Sequence, residues 1–376
     1  METLDPSPNS NFDLIVVGAG PAGSSAAITA ARAGASVLLC ERGRLPRQRV
    51  CGEFVSAESL ELLSSLLGRQ AFDLIASAPR ISAARFFAEG RTIPTAVNPP
   101  AASITRIDMD MALWNAAAHL GVRMLSQTAV EQIAGCGPFR LTTTAGEFTA
   151  TAVVNASGRW SNLTRPGAQP QDRSGARWLG VKAHFVEPNP APSVDLYFFE
   201  GGYCGVQPVR LASEPHDSNR INACAMVRAD VANSLPEVFA LHPALAERSQ
   251  GWRPLMEPVS TSPLVFREPA PIWNGLFLAG DSAGFVDPFV GDGISLALRS
   301  GAAAAQFLLP FLRGEISRTE AEQRYATAYE NHLLPVFRNS QRLRRLFRLP
   351  RAIRRPLAYF FAHTPALNSY LASKTR

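Results

Sequence analysis

The chain has 376 residues, 46% hydrophobic and 18% charged, as expected of a soluble globular protein forming one large domain or two interleaved ones. Its five cysteines, Cys40, Cys51, Cys136, Cys204 and Cys224, are odd in number and include no C-x-x-C pair. That argues against a disulfide framework or a structural zinc site and suits a reducing cytosol. The net charge of +6 belongs to the tail: residues 331–376 hold nine Arg, one Lys and no acid, so the rest is net acidic and nucleic-acid binding by the whole protein is not expected.

The opening residues, METLDPSPNSNF, lack the basic and apolar runs of a signal peptide. No uninterrupted apolar run approaches the roughly 20 residues of a membrane span. Residues 13–17 then read as a short, buried parallel strand. Gly18-x-Gly20-x-x-Gly23 follows at once, with a helix over 24–33 and a second apolar strand over 37–40 closed by Glu41. Gly18 permits the tight turn, Gly20 lets the backbone approach a pyrophosphate, and Gly23 lets helix and strand pack closely. An acid at Glu41 can accept from both hydroxyls of an adenosine ribose, which selects FAD or NAD over NADP.

Residues 46–56, PRQRVCGEFVS, put one thiol beside Arg47 and Arg49. Ser56 stands where a C-x-x-x-x-C redox pair would need its second cysteine, so thiol–disulfide exchange of that type is not expected. Three readings of Cys51 are open: a small wall beside a flat ligand, a proton donor or nucleophile toward substrate, or an ordinary buried thiol. Arg47 and Arg49 could meet a phosphate or activate the thiol. Glu53 is either a helix-start residue or a site acid, since SAESLELLSSLL reads as a helix. A further helix is expected from near Asp108. Residues 177–228 contain strand-like runs joined by turns, WLGVKAHFVE among them, which predict an antiparallel sheet roofing the site. Residues 276–279 are another apolar strand, ended by Gly280-Asp281. Pro288 and Gly291-Asp292-Gly293-Ile294 then open a helix over 295–312.

With these motifs in place, the chain resembles FAD-dependent enzymes of the para-hydroxybenzoate hydroxylase and geranylgeranyl reductase superfamily. The resemblance covers most of residues 12–335, and the cysteine loop is nearest the geranylgeranyl-reductase-like members. It implies that Asp281 binds the ribityl chain and that the helix opened by Pro288, Gly291 and Gly293 lies against the flavin pyrimidine, where its N-terminus stabilises negative charge on reduced flavin. It places Arg106 against FAD. It aligns Gly158 and Arg165 with the family's Asp-Gly segment, although Ser157 replaces the aspartate that hydroxylases tie to FAD and nicotinamide use. Altogether it implies cofactor contacts at Gly18, Gly20, Ala22, Gly23, Glu41, Arg42, Cys51, Gly52, Arg106, Val130, Gly158, Asp281, Pro288, Gly291, Gly293 and Ile294, with Cys51 as the catalytic candidate.

The fold class expected is α/β: a Rossmann-like FAD-binding domain with an inserted antiparallel β-sheet substrate domain and a helical C-terminus. Segments 12–75, 101–170 and 271–335 belong to the FAD domain, 76–100 and 171–270 to the substrate domain, and 336–376 to a basic tail that Pro350 and Pro356 break into short helices. The tail is either a membrane-surface helix pair, giving peripheral membrane contact, or a solvated basic face. The expected activity is an FAD-dependent oxidoreductase acting on a hydrophobic isoprenoid, aromatic or polyketide-like molecule, as a double-bond reductase or a monooxygenase. NAD(P)H or an electron-donor protein would supply the electrons. The alternative is an FAD-containing redox-sensing or structural protein.

Overall fold

The apolar run at the N-terminus forms a strand, Asn11–Val17, which pairs in parallel with Val37–Cys40 on one side and Gly146–Asn155 on the other. Burial on both faces explains why these strands are continuously hydrophobic rather than alternating. The computed structural model describes residues 11–159, 163, 177–215, 218–261, 264, 269–285, 291–347, 352–353, 355–356 and 359. In spatial order the first sheet runs Ile272–Trp273, Leu276–Leu278, Gly146–Asn155, Asn11–Val17, Val37–Cys40 and Arg123–Leu125, with Phe139–Thr143 also on Gly146–Asn155 and Val130–Ala134 beyond it. The helix Pro21–Arg32 starts directly after Gly20, three residues earlier than the sequence suggests, because Pro21 is pre-shaped for the first helical turn.

The helix Gly293–Leu312 packs across Pro21–Arg32. A Cβ on Gly301 would sit 1.9 Å from the Ala22 carbonyl oxygen, and Ser25 Oγ donates to the Leu298 carbonyl at 2.8 Å. Among the described residues this is the one helix long and apolar enough to cross a membrane, and 56% of its apolar window is buried inside the protein. Its length and composition are those of a core helix that faces protein on several sides.

The second sheet runs Arg253–Pro254, Trp178–Val186, Arg220–Arg228, Gly202–Pro208, Ser193–Phe199, Arg80–Ala88, Arg91–Ser103 and Phe54–Val55, with Val259–Thr261 pairing Trp178–Val186. Most neighbours are antiparallel; Ser193–Phe199 and Arg80–Ala88 run parallel. Alternation along its strands sorts the two faces. Val181, Ala183 and Phe185 join a core closed by the helices Leu235–Ala240 and Pro243–Ser249. Lys182 and His184, one residue out of phase, point to the opposite face.

The C-terminal helix Leu334–Phe347 follows Arg318–His332. Beyond it, Arg355 lies 3.7 Å from Glu89 and Arg91 lies over the Tyr359 ring at 4.7 Å. These contacts hold described parts of the tail on the hairpin at residues 88–91 of the second sheet. Pro350 and most of residues 348–376 lie outside the described residues.

Candidate active site

The turn motifs meet at the carboxyl ends of the parallel strands, the place where open α/β sheets bind ligands. Val17, Asn155 and Leu278 are in register. Gly18 N donates to the Cys40 carbonyl at 2.7 Å, Ala156 N to Val17 at 2.8 Å and Ala279 N to Asn155 at 3.1 Å. Gly18 has φ +98°, and a Cβ there would lie 2.5 Å from the Ala156 carbonyl oxygen. A Cβ on Gly23 would lie 1.8 Å from the Gly18 carbonyl oxygen, so two strands and a helix approach more closely than any side chain allows. Gly20, Gly52, Gly158 and Gly293 are different: nothing lies within 4 Å of the position a Cβ would take.

Glu41 is buried at the end of its strand. Its Oε2 accepts from Ala19 N at 2.9 Å, and its Oε1 accepts from Gly43 N at 2.8 Å and from Arg47 Nη2 at 2.5 Å. Arg49 lies 4.0 Å from the same oxygen. Both arginines therefore turn to Glu41; the guanidinium whose charge acts on Cys51 is that of Arg106. Burial, then the neighbouring Arg47 and Arg106, pull the Arg49 pKa down to about 10. Arg106 also forms a forked pair with Asp110 at 2.9 and 2.8 Å. Burial disfavours its charge, but Asp110 and the Cys51 contact outweigh this and raise its pKa. It occupies the first turn of the helix Arg106–His119, two residues before the expected start, because Thr105 caps that helix by accepting from Asp108 N.

Asp281 follows Gly280, which has φ +60°. Its carboxylate is 38% exposed and lies 3.4 Å from Arg159 Nε. Ser282 Oγ accepts from Gly158 N at 2.7 Å, and Ser300 Oγ accepts from Gly280 N at 2.8 Å. Gly158, the Gly280–Ser282 turn and the interior of the helix Gly293–Leu312 are thereby joined. Gly291 has φ +79° and packs near the Phe54 ring, and Ile294 is buried. Arg42 is exposed. Val130 opens the strand Val130–Ala134, two residues after Thr128, whose N–H donates to the Glu41 carbonyl at 2.9 Å. Pro288 and Arg165 lie outside the described residues.

The second sheet supplies what the motifs did not. Asn222 Nδ2 donates to the Cys51 and Gly52 carbonyls at 3.0 and 2.9 Å. Glu53 is fully buried; it is not a helix-start residue, since Ser56 is the N-cap of Ala57–Leu67. Its Oε1 accepts from Lys182 Nζ at 2.5 Å and from Arg106 N at 2.9 Å, while Oε2 pairs with His184 Nε2 at 2.8 Å. Burial alone would raise the Glu53 pKa, but Lys182 and His184 together hold it below the ordinary carboxylate value. The sequence carried one signal for this: Lys182 and His184 stand two apart in an otherwise apolar strand, hence on one face. Toward its apolar end that face carries Leu196, Tyr203 and Met226, which pack with Leu264, Trp178 and Phe285. Cys224 lies between the two ends, paired with Lys182 across the strands. Burial and the neighbouring Cys51 raise the pKa of its thiol.

These residues fit a dinucleotide cofactor. The N-terminus of Pro21–Arg32 has no side-chain cap and an open Gly20; that of Gly293–Leu312 likewise has no side-chain cap and an open Gly293. Three arginines crowd one spot, where a diphosphate would relieve their mutual repulsion.

Comparison with known proteins agrees. Residues 49–306 match the family described as FAD dependent oxidoreductase, and residues 13–56 match a second family of the same description. The menaquinone reductase of Mycolicibacterium smegmatis is 25% identical over 365 residues, covering 91% of this chain and 86% of that protein. The flavin-dependent halogenase armH1 of Armillaria mellea is 25% identical over 374 residues, covering 87% and 71%. The solved structure of a geranylgeranyl bacteriochlorophyll reductase-like protein of Thermoplasma acidophilum superposes with a TM-score of 0.73 at 19% identity, over 97% of this chain and 95% of that one.

Proposed function

The chain belongs to the FAD dependent oxidoreductases, and from that premise we propose that it reduces a carbon–carbon double bond in an apolar, isoprenoid-type substrate. The observation that carries this reading is the Cys51 thiol, half-buried and in contact with Glu53 N–H at 3.4 Å. FAD, once reduced by the electron donor, would supply a hydride to one carbon of the double bond. Gly18, Gly20, Ala22 and Gly23 would hold its diphosphate, with Glu41 on the ribose, Arg49 and Arg106 near the phosphates, and Asp281 on the ribityl chain. Saturating a double bond also needs a proton on the second carbon, and Cys51 Sγ–H is the donor we assign. The apolar patch around Tyr203, Met226 and Phe285 would receive the substrate body and exclude water.

The halogenase relative supports a second reading, in which reduced FAD reacts with O₂ before the substrate. The W-x-W-x-I-P pattern of halogenases is absent from this sequence. Anaerobic mixing separates the two. Reduced protein mixed with menaquinone or a geranylgeranyl compound should return to the yellow oxidised form without O₂. Reoxidation only in O₂, with a hydroxylated or halogenated product, would overturn the reductase reading. Anaerobic titration with NADH, NADPH and a reduced donor protein identifies the electron source by which one bleaches the flavin. Cys51→Ser should keep FAD bound and lower turnover by about 10²–10⁴-fold. Unchanged turnover would make the thiol only a wall.

A further inference from the structure

We propose that Glu53, Lys182 and His184 form a buried anchor that fixes the Cys51 thiol, with Glu53 as its positioning residue. Lys182 and His184 lie 129 and 131 residues from Glu53, and all three side chains are fully buried. Glu53 has φ +61°, a left-handed conformation that a non-glycine residue keeps only when its surroundings hold it there. Three donors hold it: Lys182, His184 and the backbone N–H of Arg106. In that conformation the Glu53 N–H meets Cys51 Sγ at 3.4 Å. The bond from Arg106 N also fixes the first turn of the helix that carries the Arg106 guanidinium, whose charge acts on the thiol. The N–H that meets the thiol and the backbone of Arg106 are thus held by one residue.

The surroundings complete the anchor. Lys182 Nζ also donates to Gln48 Oε1 at 3.1 Å, which ties down the loop ahead of Cys51. His184 Nδ1 lies 3.4 Å from Arg220 Nη1, itself forked onto Glu214. With Nδ1 turned to that donor, Nε2 carries the hydrogen given to Glu53. A buried charge pair is seldom more stable than a packed apolar pair of the same volume. What this one adds is geometry at the sulfur.

The test is alkylation of the five free cysteines by iodoacetamide, resolved by peptide mass spectrometry on the FAD-loaded protein. Groups that donate to a sulfur speed its alkylation. Glu53→Gln should therefore slow Cys51 about tenfold, with exposed Cys136 unchanged and buried Cys40 and Cys204 still protected. A merely structural Glu53 predicts the reverse: loosening that speeds Cys51, Cys40 and Cys204 together. Unchanged or faster Cys51 alkylation overturns the proposal. If Glu53→Gln unfolds, Glu53→Gln/Lys182→Met removes both charges at once. Slow Cys51 alkylation in that folded double variant supports the anchor; a wild-type rate, or failure of the double variant to fold, overturns it. The inference rests on the reading of this site given above but not on turnover. A fully active Cys51→Ser enzyme would remove the catalytic role of the thiol and leave the anchor standing.

Discussion

Glu41 and Glu53 are buried carboxylates twelve positions apart, and each holds three donors. Glu41 takes them from Ala19, Gly43 and Arg47, which lie 22, 2 and 6 residues away. Glu53 takes them from Arg106, Lys182 and His184, which lie 53, 129 and 131 residues away. The nucleotide end of the crevice is therefore a local device made by one strand–turn–helix–strand unit. The cysteine end exists only when segments more than fifty residues apart in the chain come together. Damage to the first end should appear mainly in cofactor binding, and damage to the second in stability and in the chemistry at Cys51.

The largest effect expected is at the second end. Lys182→Met leaves the Glu53 charge buried without its ammonium partner and should cost about 3–5 kcal/mol in denaturant unfolding. A loss below about 1 kcal/mol would mean that this end of the crevice holds together without the pair. Acid should show the same linkage. The folded-state pKa of Glu53 lies below its unfolded value near 4.5, so the stability it contributes is complete above that value. That stability is lost as pH falls through the lower folded-state pKa. Unfolding midpoints taken between neutral and strongly acidic pH should drop more for the wild type than for Glu53→Gln/Lys182→Met.

Glycines sharpen the first half of the comparison. Gly23→Ala forces a Cβ onto the Gly18 carbonyl, where backbone must shift, and should cost about 1–3 kcal/mol of stability together with FAD retention. Gly20→Ala meets no protein atom. It should leave the melting temperature of the FAD-free protein unchanged and weaken FAD binding alone, measured by titration. Equal melting losses from both would remove the distinction between a packing glycine and a cofactor glycine.

The smallest effect belongs to Asp281. Because 38% of its side chain is exposed and Arg159 lies beside it, Asp281→Ala should weaken FAD by only about 1 kcal/mol. Cys51→Ala should leave FAD retention unchanged. The reverse order of flavin loss would misplace the cofactor contacts. Mass spectrometry of the oxidised enzyme bears on the same loop. Cys51 should be free of a disulfide, and the partner to look for is Cys224, across the sheet, rather than a residue near Ser56.

The sequence by itself determined the nucleotide end. Gly18, Gly20, Gly23 and Glu41 fall within one supersecondary unit, where backbone sterics and strand–helix packing act over a few residues, so their spacing carries their geometry. It also determined that Gly280-Asp281 ends a strand and that a helix opens near Gly293, for the same local reason. Only the tertiary structure decided the other end. Arg47 and Arg49 sit near Cys51 in the chain, yet they turn to Glu41, while Arg106, fifty-five positions on from Cys51, supplies the guanidinium at the thiol. One reading made Glu53 a helix start because a helix does begin four residues later, at Ala57. The side-chain partners of Glu53 lie on a strand more than a hundred residues away, well separated from Phe54–Val55 in the strand order of the same sheet. Pairing between distant segments depends on which faces are buried against each other, and that is a property of the assembled layers rather than of any stretch of chain.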